Sequence, residues 1–453
     1  MSDNTKQYTN AEVQAMIKAY EKQKQSLPPE WFLDSKLNEL IFAECLLSEY
    51  PMVCINQLLY TIDGMPVVIP TLRSHIMEKL TGYVGSDIPK RISRIIETLK
   101  IKCHASMPAP QLDRIHMRNG TLFLNGTFSA TKEFSINRIP LDYNPDAPLP
   151  ETFLKYVHDL LEPVDIQTLQ EYMGLCFLPT NKAQKMLMIL GNGGEGKSRL
   201  GIILNMLFGP NMITGSVQRL ETDRFARANL ENKLLLYDDD MVMEALPATH
   251  NLKTLITLEG NTEVERKGKQ SYQAPIYARF FAVGNGSLSA LHDRSDGFFR
   301  RQLILYARPK EPDRIDDPFL TEKIGQEIEG IFLWCLEGLK RLIANDYKFT
   351  ISDKAKQNLQ ELMEDSNNIL SFMKSSGFIR LEANTHASSR QLYAAYTSWC
   401  EANCIKPMSP KTLTSELKQN AAKYGLTYSN NIDAGDGKKV RGFYGIHTII
   451  RTD

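Results

Sequence analysis

The residues with the clearest chemistry are Gly191-Asn192-Gly193-Gly194-Glu195-Gly196-Lys197-Ser198. They fit the G-x-x-x-x-G-K-[ST] phosphate loop without a mismatch. Glycines there let backbone N–H groups close around phosphate oxygens, the lysine ammonium reaches the β- and γ-phosphates, and the serine hydroxyl can ligate Mg²⁺. Such a loop works only between a strand and a helix. Lys185–Leu190 is an apolar run suited to a buried strand, and Arg199–Leu207 continues with helical periodicity. The helix N-terminus then adds its own positive charge at the loop. The ligand is a nucleoside triphosphate, and the open question is what its hydrolysis drives.

Further along, Lys233-Leu234-Leu235-Leu236-Tyr237-Asp238-Asp239-Asp240 reads as an apolar strand ending in carboxylates. One acid beside a phosphate loop can hold Mg²⁺ through water, and a second can polarise the attacking water. Strand alternation puts Asp238 and Asp240 on one face and Asp239 on the other, which leaves the assignment open. Arg279–Gly286 is another apolar strand, ending in Asn285, whose amide can reach a lytic water or the γ-phosphate. Asp296–Leu305 places Arg300 and Arg301 just before a third apolar run. An arginine there can project to the γ-phosphate of a neighbouring subunit, a contact worth about 10³–10⁵ in rate in other nucleotide hydrolases. Between the acidic strand and Asn285, Thr262–Tyr272 reads as a hairpin carrying Arg266, Lys267 and Lys269 about Gly268. Three cations at one protruding turn suit contact with a nucleic-acid backbone, although a solvated turn has the same composition.

These groups need a framework to hold them. With 453 residues the chain is long enough for roughly two to four domains. Its 42% hydrophobic and 23% charged content is that of a soluble globular protein. The net charge is zero, so any nucleic-acid surface must be a local patch rather than a global field. The polar N-terminus and the lack of a spanning apolar segment predict a cytoplasmic protein with no membrane partner. Seven cysteines, scattered and without a C-x-x-C pair, read as reduced thiols, including Cys400 and Cys404 one helical turn apart. By texture, residues 1–110 form a helical and mixed docking or DNA-binding region, and residues 111–180 a small strand-plus-helix collar. The collar opens with two short strands about an Asn-Gly turn over Ile115–Phe128. Residues 181–345 form an α/β core with a parallel sheet and trailing helices. Residues 366–453 form a last small domain. There, Ser389–Cys400 is an amphipathic helix, Ser409–Lys418 a helix with Pro410 at its first turn, and Gly435–Ile446 a hairpin with a basic arm. Helix, helix and basic wing are similar to a winged-helix domain, offering Lys411 and Lys418 to a major groove and Lys438, Lys439 and Arg441 on the wing.

The ordered set of blocks resembles the superfamily 3 helicases of the AAA+ class, in particular the helicase half of phage and satellite-element primase-helicases and pathogenicity-island replication initiators. The resemblance runs from about Ile115 to the C-terminus. It takes in Arg118-Asn119-Gly120 with Tyr143-Asn144-Pro145, Glu171-Tyr172-Met173-Gly174, the phosphate loop, Leu255–Lys269, Asn285 and Arg300-Arg301. It implies an α/β, AAA+ P-loop ATPase core between an α/β N-terminal region and a winged-helix-like C-terminal domain. It also implies ATP and Mg²⁺ as cofactors, with Lys197 and Ser198 on phosphate and metal, and Asp239 and Asp240 at the acidic motif. Asn285 falls at the sensor position, Arg300 at the finger with Arg301 its rival, and Lys267 and Lys269 at a channel hairpin gripping one DNA strand. Ring hexamers with shared ATP sites, replication-protein partners and a bacterial host are further implications. The implied activity is ATP-driven unwinding by the replication initiator of a mobile element that also binds its own origin. The competing reading is an AAA+ ATPase that remodels protein partners. Residues 1–110 show no polymerase-like acidic pair, so no primer synthesis is expected.

Overall fold

A computed structural model describes residues 28–241, 249–268, 270–285, 296–311, 317–366, 368–403, 407–433 and 438–449. The chain divides into two compact units. One comprises the residues up to Pro148 with Phe177–Thr180 and Leu207–Asn211; the other holds the remainder.

In the first unit, Asn38 caps the helix Glu39–Glu49 by accepting from the Leu40 and Ile41 amides. The helices Ile69–Leu80 and Ile88–Lys102 each carry proline in the first turn, where no backbone donor is lost. Their apolar faces meet Trp31, Phe42, Leu46, Ile76, Ile95 and Leu99 in one core. Two antiparallel pairs flank them, β1 (Phe32–Leu33) with β2 (Lys36–Leu37) and β3 (Met52–Ile55) with β4 (Leu58–Thr61). Asn56 and Gln57, at φ 49° and 66°, make the two-residue turn that a right-twisted hairpin favours. Next come β5 (Arg114–Met117), β6 (Gly120–Phe123) and β7 (Phe128–Ser129). The expected two strands are thus three, because the Asn125-Gly126 turn returns the chain for β7. Asn119 and Tyr143, far apart in sequence, are clamped together. The Asn119 amide donates to the Tyr143 carbonyl at 3.1 Å and its oxygen accepts from the Tyr143 N–H at 2.8 Å.

The second unit is built on a five-stranded, wholly parallel sheet. Its strands are β8 (Met186–Gly191), β9 (Met212–Thr214), β10 (Leu235–Asp238), β13 (Arg279–Asn285) and β14 (Gln302–Tyr306), in spatial order β14-β8-β13-β10-β9. A separate antiparallel pair, β11 (Asn261–Val264) and β12 (Tyr272–Pro275), forms the basic hairpin. Both faces of the sheet are covered, so its strands are near-continuous apolar runs. Met186, Met188, Leu190, Phe280 and Ile304 face one core with Leu252, Leu255 and Ile256 of the helix His250–Thr257. The helices Glu151–Leu160, Pro163–Leu175 and Ile328–Ala344 belong to the same unit. Glu327 caps the first of them, its carboxylate accepting from the Thr152 and Phe153 amides at 3.0 and 2.9 Å.

Within this unit, residues 369–446 gather a core of their own around Phe372, Tyr396, Trp399, Leu417 and Phe443. Three antiparallel strands, β15 (Ile379–Ser388), β16 (Thr427–Asp433) and β17 (Lys439–Thr448), pair in the order β15-β17-β16. The helix Ser389–Ala402 starts with a Ser388–Gln391 capping box, and Pro410–Gln419 is capped by Ser409. Among the described residues, no helix is long and apolar enough to cross a membrane. The cysteines described, Cys45, Cys54, Cys103, Cys176, Cys335 and Cys400, are all free thiols, while Cys404 lies outside the described residues.

Candidate functional site

β8 runs straight into the glycine loop, and the helix Arg199–Phe208 leaves it. Gly193, Gly194 and Gly196 take φ of +105°, +84° and +100°, a left-handed path that side chains would strain. The loop borders an open cavity of ≈ 310 Å³ that Gly193 to Arg199 share with Asp239, Val283, Gly284 and Asn285. The sheet order produces this company. β13 lies between β8 and β10, and its last residue, Asn285, stands in register with Gly191. Asp239 follows directly on the end of β10. Lys197, Ser198, Asp239 and Asn285 therefore converge on one cavity from three adjacent strand ends.

The three aspartates have different surroundings. The strand stops at Asp238, so the alternation expected through Asp240 ends there. Asp238 is buried and its carboxylate accepts from the Val217 N–H at 2.7 Å. Burial pushes its pKa up, an environment for a structural acid. Asp240 is exposed and does not line the cavity. Asp239 does, and the Tyr237 hydroxyl donates to its Oδ1 at 3.0 Å. The Tyr237 ring lies where a side chain on Gly201 would be, since a Cβ there would come within 2.3 Å of it. Burial, and then the charge of Asp239, hold the phenol proton in place, so Tyr237 stays a donor. A second tyrosine, Tyr156, donates from its hydroxyl to the Gly196 carbonyl at 2.9 Å and braces the loop from the helix Glu151–Leu160. Neither tyrosine stands out in the sequence, where both read as core residues of apolar elements.

Lys197 and Glu195 are nearly inaccessible, with Lys197 Nζ donating to Glu195 Oε2 at 2.6 Å. Burial acts to raise the Glu195 pKa, but Lys197 and the loop amides outweigh it and hold the carboxyl below its ordinary value. Ser198 is exposed at the cavity. Hard oxygen ligands in small number, with room for phosphate oxygens, are what Mg²⁺ takes, and Ser198 and Asp239 supply them. Among the described residues, no cluster of three or more His, Cys, Asp or Glu forms an all-protein metal cage.

The arginine pair is elsewhere. The Arg301 carbonyl accepts from the Met186 N–H at 2.8 Å, five residues before Gly191. At about 3.3 Å per residue, that is roughly 16 Å from the loop of the same chain. Arg301 turns inward and donates to the Gly297 carbonyl, with its Nε buried. Arg300 is exposed.

The basic elements divide similarly. Arg266 does not join an open tip: its Nη2 donates to Glu231 at 2.6 Å and its Nε to the Tyr272 hydroxyl at 3.0 Å. Those hydrogen bonds push its pKa up and brace the hairpin. Lys267 is exposed beside Gly268, which takes φ +75°, and Lys269 lies outside the described residues. Buried Asn181 anchors the hairpin base, its Nδ2 donating to the carbonyls of Leu258 and Ile276 at 2.9 Å each and of Leu255 at 3.3 Å. In the C-terminal module, Lys411, Lys418, Lys438, Lys439 and Arg441 are exposed, and Lys418 sits 3.6 Å over the Tyr428 ring. That cation–π contact, worth about 0.5–1 kcal/mol at an exposed site, holds the Lys418 head against its own fold.

Comparison with known proteins adds to this geometry. Residues 189–301 match a family of unknown function, DUF5906, and residues 360–439 match a family described as poxvirus D5 protein-like. Among solved structures, an A-form apo structure of the NrS-1 C-terminal region superposes with a TM-score of 0.53 at 13% identity, covering 90% of this chain and 99% of that one. A structure of residues 305–718 of the same region gives a TM-score of 0.52 at 12% identity over the same shares. At these identities the likeness shows the fold, and it extends over nearly the whole chain.

Proposed function

We propose that the protein is a Mg²⁺-dependent ATPase that drives DNA unwinding, acting as the replicative helicase and initiator of a mobile genetic element. One observation carries the reading: Lys197, Ser198, Asp239 and Asn285 meet at a single cavity on the C-terminal ends of β8, β10 and β13. The match of the C-terminal module to a poxvirus D5 protein-like family supports it.

In this reading the loop amides and Lys197 bind the β- and γ-phosphates, and Ser198 and Asp239 orient the metal side of the nucleotide. Mg²⁺ held there by Ser198 and Asp239 would offset the charge of the phosphates. Asn285 positions the water or the γ-phosphate by hydrogen bonding from the opposite wall. Asp239, steadied by Tyr237, is the acid of the three that can polarise that water; Asp238 is spent on Val217. Arg300 is too far to serve its own site and is exposed, so it serves the γ-phosphate of another copy. That arrangement fits a ring hexamer. Lys267 at the hairpin tip, with Lys269, contacts the DNA backbone, and the C-terminal module acts as a winged helix on duplex DNA through Lys411 and its wing.

The test combines two variants. Lys267→Ala with Lys269→Ala should abolish unwinding of a forked duplex while leaving ATP binding intact; normal unwinding would reject the hairpin role and favour remodelling of protein partners. Arg300→Ala alone should not hydrolyse ATP, yet it should regain activity when mixed with Lys197→Ala. Full activity of Arg300→Ala by itself would reject the shared site.

A further inference from the structure

The phosphate cradle already holds an anion, and that anion belongs to the chain. Glu195 Oε1 accepts from the Asn192 N–H at 2.5 Å and the Gly193 N–H at 3.0 Å; Oε2 accepts from the same Gly193 N–H at 3.0 Å and from Lys197 Nζ at 2.6 Å. Both side chains are buried, at 4% and 6% exposure, although the cavity beside them is open. A Cβ on Gly191 would lie 2.7 Å from both Glu195 Oε1 and Lys197 Nζ, so the glycine that ends β8 makes room for the pair. Successive backbone N–H groups and an ammonium around a planar pair of oxygens are the donor set a phosphate loop offers to phosphate.

We propose that Glu195 is an internal stand-in for a nucleotide phosphate, which the incoming triphosphate must displace before Lys197 and the loop amides can engage it. This rests on the nucleotide site proposed above and adds a regulatory step to it. Binding becomes an exchange of one anion for another rather than the filling of an open cradle. The exchange keeps the buried Lys197 paired in both states, since an unpartnered ammonium at that depth is costly. It also makes nucleotide affinity depend on where the Glu195 carboxylate can go once released, which a neighbouring chain or DNA can change. The sequence pattern allows any residue at this position of the loop, so the pattern alone does not reveal an occupant.

The experiment is titration calorimetry of the full chain with a non-hydrolysable ATP analogue plus Mg²⁺, and separately with inorganic tripolyphosphate. It is run on the wild type, Glu195→Gln, Glu195→Asp and Lys197→Ala. Glu195→Gln removes the competing charge and keeps the shape; Glu195→Asp keeps the charge but shortens its reach. Charge-assisted hydrogen bonds are about twice as strong as neutral ones, so Glu195→Gln should bind about ten-fold tighter than wild type, and Glu195→Asp, whose carboxylate no longer reaches the loop amides, should also bind tighter. Ligand should also raise their melting temperatures by more than it raises that of the wild type. Lys197→Ala should not bind. If the wild type binds and both Glu195 variants, folded by circular dichroism, bind equally or more weakly, the stand-in is wrong and the nucleotide site survives. If neither wild type nor variant binds either probe, the nucleotide site itself fails, and the stand-in with it.

Discussion

Tyr237→Phe removes one oxygen and leaves everything else in place. The ring is 2% exposed and packs against Gly201, so the phenylalanine keeps its volume and contacts. Asp239 is solvent-accessible, so losing the 3.0 Å hydrogen bond leaves no buried polar group without water. The stability cost is therefore that of a single charge-assisted hydrogen bond at the surface, about 1.4 kcal/mol. The functional cost is larger in proportion. A carboxylate released from its donor samples three staggered χ1 wells rather than one, a loss of about three-fold in the productive population. A charge-assisted bond worth about 1.4 kcal/mol would raise that to about ten-fold. Steady-state ATPase assays should thus show kcat lowered three- to ten-fold, with a higher Mg²⁺ concentration needed for half-maximal rate. Asp239→Asn should cost far more, and Asp240→Asn almost nothing. An unchanged kcat and Mg²⁺ dependence in Tyr237→Phe, alongside a crippled Asp239→Asn, would refute the positioning argument while sparing the acid.

Three further outcomes are expected. Asn181→Ala should cost about 2 kcal/mol and speed hydrogen exchange at Thr262–Val264 and Tyr272–Ala274 but not in β8; uniform exchange rates would show that the hairpin base does not depend on Asn181. Burial, and then the nearby cation of Arg138, push the pKa of His116 down to about 4 from 6.5. Its unfolded form therefore binds the proton first: stability is complete above pH 6.5 and falls by about 3 kcal/mol as pH drops through 4. Denaturant melts of wild type against His116→Gln should diverge across that window, and parallel curves would contradict the burial argument. Deleting the residues after Ser366 should remove sequence-specific duplex binding and preserve ATPase, and Lys411→Ala should lower the salt dependence of binding more than Lys418→Ala. Equal effects of the two lysines would mean that the Tyr428 contact does not hold Lys418.

What could be read in advance follows from which interactions are local. The phosphate loop, its strand and its helix are contiguous, and the parallel core shows in apolar runs such as Leu187–Leu190 and Phe280–Val283. The choice among Asp238, Asp239 and Asp240 was not legible, because it depends on where β10 ends and on a partner, Val217, some twenty positions away. Arg266 looked like a tip cation since Glu231, its partner, lies far back in sequence. Tyr156 and Tyr237 act through single hydrogen bonds, and Asn181 through several to distant backbone, and neither a tyrosine in an apolar run nor a lone asparagine gives any sign of that. The clamp between Asn119 and Tyr143 is the converse case: both blocks stood out separately, and the fold supplies the reason they belong together.

The pairing of β14 with β8 has a consequence for assembly. It fixes Arg300 just before the N-terminal end of β14 and the phosphate loop at the C-terminal end of the neighbouring β8, and no motion short of unzipping β14 brings them together. If Arg300 is the finger proposed above, the two must come from different copies, and head-to-tail sharing between opposite strand ends has a direction. In a head-to-tail contact a copy that lends its arginine to a second does not receive one back from it. An open head-to-tail row would leave the site at its end incomplete. In the proposed ring, a closed head-to-tail cycle would complete every site, so the last subunit to join would switch on the first.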